Sequence, residues 1–250
     1  VPLNPIFRKK GDTGNFAAHG TFHPTLFTLH LLASPERFRK IRQMLRHRQT
    51  SLTVVMDNVS KSHNLAAIIR TCDAAGIHEI HAISYRKHIF SRHNAAAGSS
   101  KWVHINLHHT IEEAYRQLRS EDKQILAAAS GEQSVDFREI DYTRPTALVL
   151  GAEWDGISQE AVLGADRCIR VPMFGMVESL NVSVAGAVII FEAQRQRLLQ
   201  GMYDKPSLNE KDLNGLLFGY TYPRLADQLR EKGAAYPRLD DEGFIVSPDT

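Results

Sequence analysis

Three short stretches set polar side chains between apolar runs in a way that could support chemistry: NLAAIIR (Asn64 to Arg70), LGAEWDGIS (Leu150 to Ser158) and IRVPMFGMVESLNVSVAGAVIIFEAQRQR (Ile169 to Arg197). In the last, Pro172 ends the strand IRV, and Gly175 offers a turn where a side chain would be strained. Ser179 or Asn181 then supplies a cap for the helix that follows. A helix entered from such a loop aims unpaired backbone N–H groups outward, so this is where a cofactor would sit. In the middle stretch, Gly151 at a strand end and Gly156 in a turn allow the close backbone approach that a nucleotide-like ligand requires. Pattern alone leaves the charged and amide side chains open. Asn64 suits a helix N-cap, Arg70 suits the negative end of a helix, and Glu153 suits a solvated loop tip.

Other chemistries find little support. Neither GxGxxG nor a P-loop is present, which argues against a nicotinamide enzyme or an NTPase. The pairs His19/His23 and His108/His109 lack a third partner at metal spacing, so no metal is expected. Two cysteines, Cys72 and Cys168, suggest neither a disulfide framework nor a metal site, and the expected setting is cytoplasmic. No secretory signal is recognisable after Val1, and no apolar run reaches the roughly 20 residues that span a membrane.

The elements that must position these stretches follow from periodicity. LTVVM (Leu52 to Met56), Ile77 to Ser84, Trp102 to Leu107, Gln124 to Ala128, Thr146 to Gly151 and Cys168 to Val171 read as strands. Helices are expected from near Asn64 to Ala75, over Ile111 to Leu118, over Ser158 to Leu163 and from Asn181 to about Leu199. This alternation is that of a parallel α/β sheet. Before it, Phe38, Ile41 and Leu45 form one stripe of a basic amphipathic helix. After it, Leu208 to Phe218 and Tyr222 to Glu231 are weaker helical candidates. Residues 1–34 are expected to form an extension with no sustained period, 35–51 the basic helix, 52–201 the α/β domain and 202–250 a helical tail.

Charge is unevenly spread along the chain. Net charge is +2, yet residues 1–50 carry nine Lys/Arg against Asp12 and Glu36, hence +7, which leaves −5 on the rest. Such asymmetry points to an anionic partner for one end.

Taken together and in order, the three stretches resemble the motifs of the SpoU family of RNA ribose 2'-O-methyltransferases. FREIDYTRPTALVLGAE and GMVESLNVSVAGAVIIFEAQRQRLLQGMY are similar to the members that act on guanosine 18 of tRNA. The resemblance runs from about Glu36 to about Pro237. It implies a Rossmann-like, mostly parallel sheet with a C-terminal trefoil knot (the SPOUT fold), flanked by N- and C-terminal helices. It also implies a homodimer whose active site is completed at the interface. S-adenosyl-L-methionine would be the cofactor and S-adenosyl-L-homocysteine its product. Carried over residue by residue, Arg70, Asn64, Glu153, Ser179 and Asn181 would serve the reaction. Ala128, Leu150, Gly151, Val171, Met173, Ser179 and Leu180 would line the cofactor. Arg37, Arg39, Lys40, Arg42, Arg195 and Arg197 would meet tRNA phosphates. Lys40 stands where close relatives carry arginine, which keeps the charge but weakens planar phosphate recognition. A guanidinium is an awkward base, so Arg70 is expected to polarise the ribose hydroxyl and steady the developing alkoxide, with a substrate phosphate as one acceptor of the proton. Two alternatives stand beside this: methylation of ribosomal RNA, and a non-catalytic RNA-binding module.

Overall fold

Strand β1 (Leu52–Asp57) is buried along its whole length, and the sheet grows outward from it in both directions. A computed structural model describes residues 34–83, 101–152 and 154–246. Its strands are β1, β2 (Glu79–Ile83), β3 (His104–His108), β4 (Gln124–Ala128), β5 (Val135–Asp136), β6 (Thr146–Leu150) and β7 (Arg167–Arg170). All pair in parallel, in the order β3-β2-β1-β6-β4-β7-β5. Val54 lies opposite Ile80 on one side and Leu148 on the other. The chain therefore builds one half of the sheet outward from β1 and the other beyond β6. A reversal of this kind opens a crevice at the carboxyl ends of the central strands.

Both faces of the sheet are covered at its centre, which is why β1, β4 and β6 read as largely apolar runs rather than alternating ones. On one face α2 (Ser62–Ala74) and α5 (Val182–Leu199) bury Leu65, Ile68, Ile69, Ile189, Ile190 and Ala193 against Val54, Met56 and Leu150. On the other, α3 (Ile111–Ser120) and α4 (Gln159–Gly164) cover Val55, Ile83, Ala147 and Val149. Helix α3 begins where its sequence says it should: Thr110 accepts from the Glu113 N–H at 3.3 Å, and Glu113 reaches back to the His109 N–H at 2.9 Å. Helix α2 ends ahead of Gly76, which turns with φ +78°.

Four sequence expectations change. Strand β5 is two residues long and too short to show a period. Helix α2 starts at Ser62 with Lys61 as an N-cap that makes no side-chain bond, so Asn64 lies inside the helix and does not cap it. Gly175 has no left-handed backbone, and a Cβ there would meet nothing within 4 Å, so strain does not dictate a glycine at that turn. The strand expected from Ile77 begins at Glu79, and its expected end, Ser84, lies outside the described residues, as do most of the N-terminal extension and Glu153.

Residues 47–207 form one compact unit. The described parts of 1–46 and 208–250 form another, in which α1 (Pro35–Arg46) packs with α6 (Glu210–Thr221), and α6 with α7 (Pro223–Glu231). Phe218 stacks on Tyr236 with centroids 4.7 Å apart, and Tyr222 donates to the Gly243 carbonyl at 2.7 Å. Segments from the two ends of the chain thus share one small core. No helix among the described residues is long and apolar enough to cross a membrane.

Candidate active site

The sheet order sets the carboxyl ends of β6, β4 and β7 side by side, so Leu150 with Gly151, Ala128, and Val171 just past β7 arrive along one edge. Leu150 is buried, and Ala128 and Val171 are half-buried. After Gly151 the chain folds on itself: Ala152 and Gly156 exchange backbone hydrogen bonds of 2.8 and 3.0 Å, with Gly156 at φ +69°. A Cβ on Gly151 would fall 2.2 Å from the Gly156 carbonyl carbon. The chain's own turn therefore requires the glycine. Asp57, the last residue of β1 and fully buried, accepts the Ser158 N–H at 2.7 Å, while the Ser158 hydroxyl caps α4. This carboxylate pins the far end of the loop. The sequence reading passed over it, although an acidic residue closing a mostly apolar strand was a visible signal.

From Pro172 to Leu180 the backbone makes no hydrogen bond to another described backbone group. Main-chain N–H and C=O groups need partners, so this loop offers a run of donors and acceptors to water or a ligand. Val171, Met173 and Leu180 add half-buried apolar surface, and Phe174, Met176 and Val177 are exposed. Polar backbone beside apolar side chains suits a nucleoside with an amino-acid tail joined through sulfur, so the residues present fit S-adenosylmethionine.

The loop ends at Asn181, which caps α5: its Oδ1 accepts from the Ser183 N–H at 2.9 Å and from the Ser183 hydroxyl at 2.6 Å. Its Nδ2 donates to Asn64 Oδ1 at 3.2 Å. Asn64 is 2 % exposed, so the pair meets where the first turns of α2 and α5 come together. Arg70 lies on the exposed side of α2, roughly 9 Å further along its axis. Ser179 is exposed two residues before the cap, and Glu153 lies outside the described residues. The C-terminal end of α2 is held by Arg48. This fully buried side chain donates to Asp73 Oδ1 at 2.6 Å, to the Ile77 carbonyl at 3.0 Å and to the Trp102 carbonyl at 2.9 Å. Arg48 therefore belongs to the interior, not to a basic surface.

Arg197 also differs from its expected role at tRNA phosphates. It is 0 % exposed and donates to the carbonyls of Tyr142, Ser51 and Arg144, to Gln49 Oε1 and to the Ser51 hydroxyl, over 2.9–3.2 Å. Burial lowers its pKa to about 10. Its guanidinium ties the end of α5 to loops leading into β1 and β6. Arg195, two residues earlier, is exposed and forks onto Glu192 with two bonds of 2.8 Å. On α1, Arg37, Arg39 and Lys40 are exposed, whereas Arg42 pairs with Asp241 at 3.0 Å.

Known proteins bear on this geometry. The profile described as "SpoU rRNA Methylase family" matches residues 51–191, and that described as "SpoU, rRNA methylase, C-terminal" matches 195–248. The chain belongs to the SpoU methylase family. Among SpoU relatives, the tRNA (guanosine(18)-2'-O)-methyltransferase of Escherichia coli (strain K12) is 48% identical over 214 residues, 85% of this chain and 93% of that protein. The crystal structure of the A. aeolicus TrmH/SpoU tRNA modifying enzyme superposes with a TM-score of 0.69 at 41% identity, covering 75% of this chain and 96% of that one. The SpoU methyltransferase AviRb from Streptomyces viridochromogenes, solved in complex with the cofactor AdoMet, superposes with a TM-score of 0.51 at 25% identity, covering 59% of this chain and 60% of that one.

Proposed function

We propose that this chain transfers a methyl group from S-adenosylmethionine to the ribose 2'-hydroxyl of guanosine 18 in the tRNA D-loop. The observation that carries the reading is the meeting of Asn64 and Asn181 at the carboxyl edge of the sheet, beside a loop whose backbone makes no hydrogen bond to another described backbone group and on the helix that bears Arg70. The similarity to the Escherichia coli tRNA (guanosine(18)-2'-O)-methyltransferase, which aligns along most of its length, supports the same substrate.

S-adenosylmethionine brings a methyl group already activated on a sulfonium, so the protein mainly has to align it and assist loss of the hydroxyl proton. In this reading Ala128, Leu150, Gly151, Val171, Met173, Ser179 and Leu180 form the cofactor's bed. Asn64 and Asn181 fix the mutual orientation of α2 and α5, and with it the ribose. Arg70 donates to the 2'-oxygen and stabilises negative charge as it grows there. The proton would pass to a phosphate oxygen of the substrate, and the methyl group would leave its sulfur for the 2'-oxygen, with S-adenosyl-L-homocysteine as the leaving group. Glu153 takes an orienting role, and Arg37, Arg39, Lys40, Arg42 and Arg195 contact tRNA phosphates.

A homodimer belongs to the same reading. On α5, Val184, Val188 and Phe191 are 48%, 38% and 46% exposed at positions that share one helical stripe, a face suited to a second copy of the chain. We place the activity in the cytoplasm, and take the C-terminal part of the sheet unit to be knotted as the family implies. The test is transfer from labelled S-adenosylmethionine to unmodified tRNA transcripts, with a ribosomal-RNA fragment run in parallel. Label in tRNA alone is expected. Label confined to the ribosomal fragment would overturn the substrate.

A further inference from the structure

Trp154 projects from the turn between β6 and α4 with 87% of its surface exposed. Scattered exposed apolar residues are ordinary, but three features distinguish this one. First, the backbone that carries the indole is held. Its turn is closed by the paired hydrogen bonds of Ala152 and Gly156, and is anchored four residues later where buried Asp57 holds the Ser158 N–H. Second, the ammonium of Lys61 lies 5.2 Å from the ring centroid, over one face. A cation on one face orients the ring and leaves the other open to solvent. Third, Lys61 is the residue that enters α2, three positions before Asn64, so indole and ammonium stand at the start of the helix that meets Asn181.

A flat aromatic face beside a fixed positive charge is complementary to one repeating unit of single-stranded RNA, a base with its phosphate. Unstacked loop bases are commonly held on aromatic side chains, while Lys or Arg positions the backbone. We propose that Trp154 stacks an unpaired nucleobase adjoining the methylated ribose, and that Lys61 binds the phosphate of the same strand. Trp154 is then a positioning residue for substrate and does not touch the transferred group. The inference rests on the RNA-methyltransferase reading above.

The chain has two tryptophans, so Trp102→Phe leaves Trp154 as the sole indole reporter. Titrating that variant with unmodified tRNA transcript is expected to quench its emission, while heparin, a polyanion without bases, leaves it unchanged. In the intact chain, Trp154→Ala is expected to raise KM for tRNA about ten-fold with kcat and cofactor affinity little changed, and Trp154→Phe to restore most of the loss. Lys61→Gln should flatten the salt dependence of tRNA binding by about one phosphate contact. If a fluorescently labelled tRNA binds to saturation and is methylated while Trp154 emission and the KM of Trp154→Ala stay unchanged, stacking is wrong and the enzyme reading stands. Quenching by tRNA without any methyl transfer would keep the stacking and remove the enzyme reading. Absence of both binding and transfer would remove both.

Discussion

Asn181 donates its side-chain amide to the oxygen of Asn64 across 3.2 Å and 117 residues of sequence. The same side chain starts α5 by accepting from Ser183. One amide therefore sets where a helix begins and where its first turn meets another helix, which links capping to the geometry of the site.

These two roles separate by mutation. Asn181→Asp keeps the acceptor for Ser183 and suits the positive end of a helix, but removes the N–H offered to Asn64. Its stability is expected to stay within about 1 kcal/mol of the parent, with methyl transfer reduced at least ten-fold. Asn181→Ala should lose transfer and also about 1 kcal/mol of stability. Urea unfolding run beside the transfer assay separates them, and a fully active Asn181→Asp would detach the amide bridge from function.

Arg197 and the exposed cations of α1 should behave as opposites. Arg197→Ala leaves several buried acceptors without a donor and should cost about 3 kcal/mol or more, with the salt slope of tRNA binding unchanged. Arg39→Glu combined with Lys40→Glu should leave the melting temperature nearly unchanged and flatten that slope by about two contacts. Thermal melts and binding at several salt concentrations distinguish the two. A flattened slope in Arg197→Ala would return that residue to the RNA surface.

These contrasts mark what could be read from the chain and what could not. Among the described residues, six of the seven strands and every α-helix announced themselves, because an α/β core covered on both faces imposes apolar runs and helical stripes that survive in sequence. Strand β5, only two residues long, left no period. Within the QRQR run, Arg195 and Arg197 look alike, yet two residues on a helix turn the side chain by roughly 200°. Which of them is buried depends on carbonyls supplied from Ser51, Tyr142 and Arg144. Asn64 looked like a cap because its real partner is contributed by another helix. Local pattern reports which face a residue occupies, and long-range partners decide what it does there.

Acid should weaken the fold through His81. Its ring is fully buried in β2, stacked on His108 with Nδ1 2.8 Å from that ring's Nε2, and its own Nε2 has no hydrogen-bond partner among the described residues. Burial lowers its pKa from 6.5 to about 4, with Glu79 and Glu121 opposing and His108 and Lys123 adding to the shift. Because the folded value is the lower one, the unfolded chain takes up the proton first. Stability is full above pH 6.5 and falls as pH drops toward 4. His81 alone should account for about 2 kcal/mol between pH 7 and pH 5. Urea midpoints at the two pH values should move further apart in the parent than in His81→Leu, and equal differences would contradict this assignment.

The exposed stripe on α5 is expected to hold a second copy of the chain. Val188→Arg places a charge at the middle of Val184, Val188 and Phe191, and should give a folded monomer with greatly reduced methyl transfer. Sedimentation velocity reads the first effect, and an unchanged sedimentation coefficient would exclude that face from the interface.

The central claim is that this site methylates one ribose with the help of Arg70. The direct measurement is mass spectrometry of nuclease-digested tRNA transcript after incubation with S-adenosylmethionine, for the parent and for Arg70→Ala, with cofactor affinity measured by calorimetry. The account requires 2'-O-methylguanosine at position 18 for the parent, and for Arg70→Ala a loss of at least about 100-fold with cofactor affinity within a few-fold. Methylation on a base or at another nucleotide, or an Arg70→Ala variant as active as the parent, would contradict it.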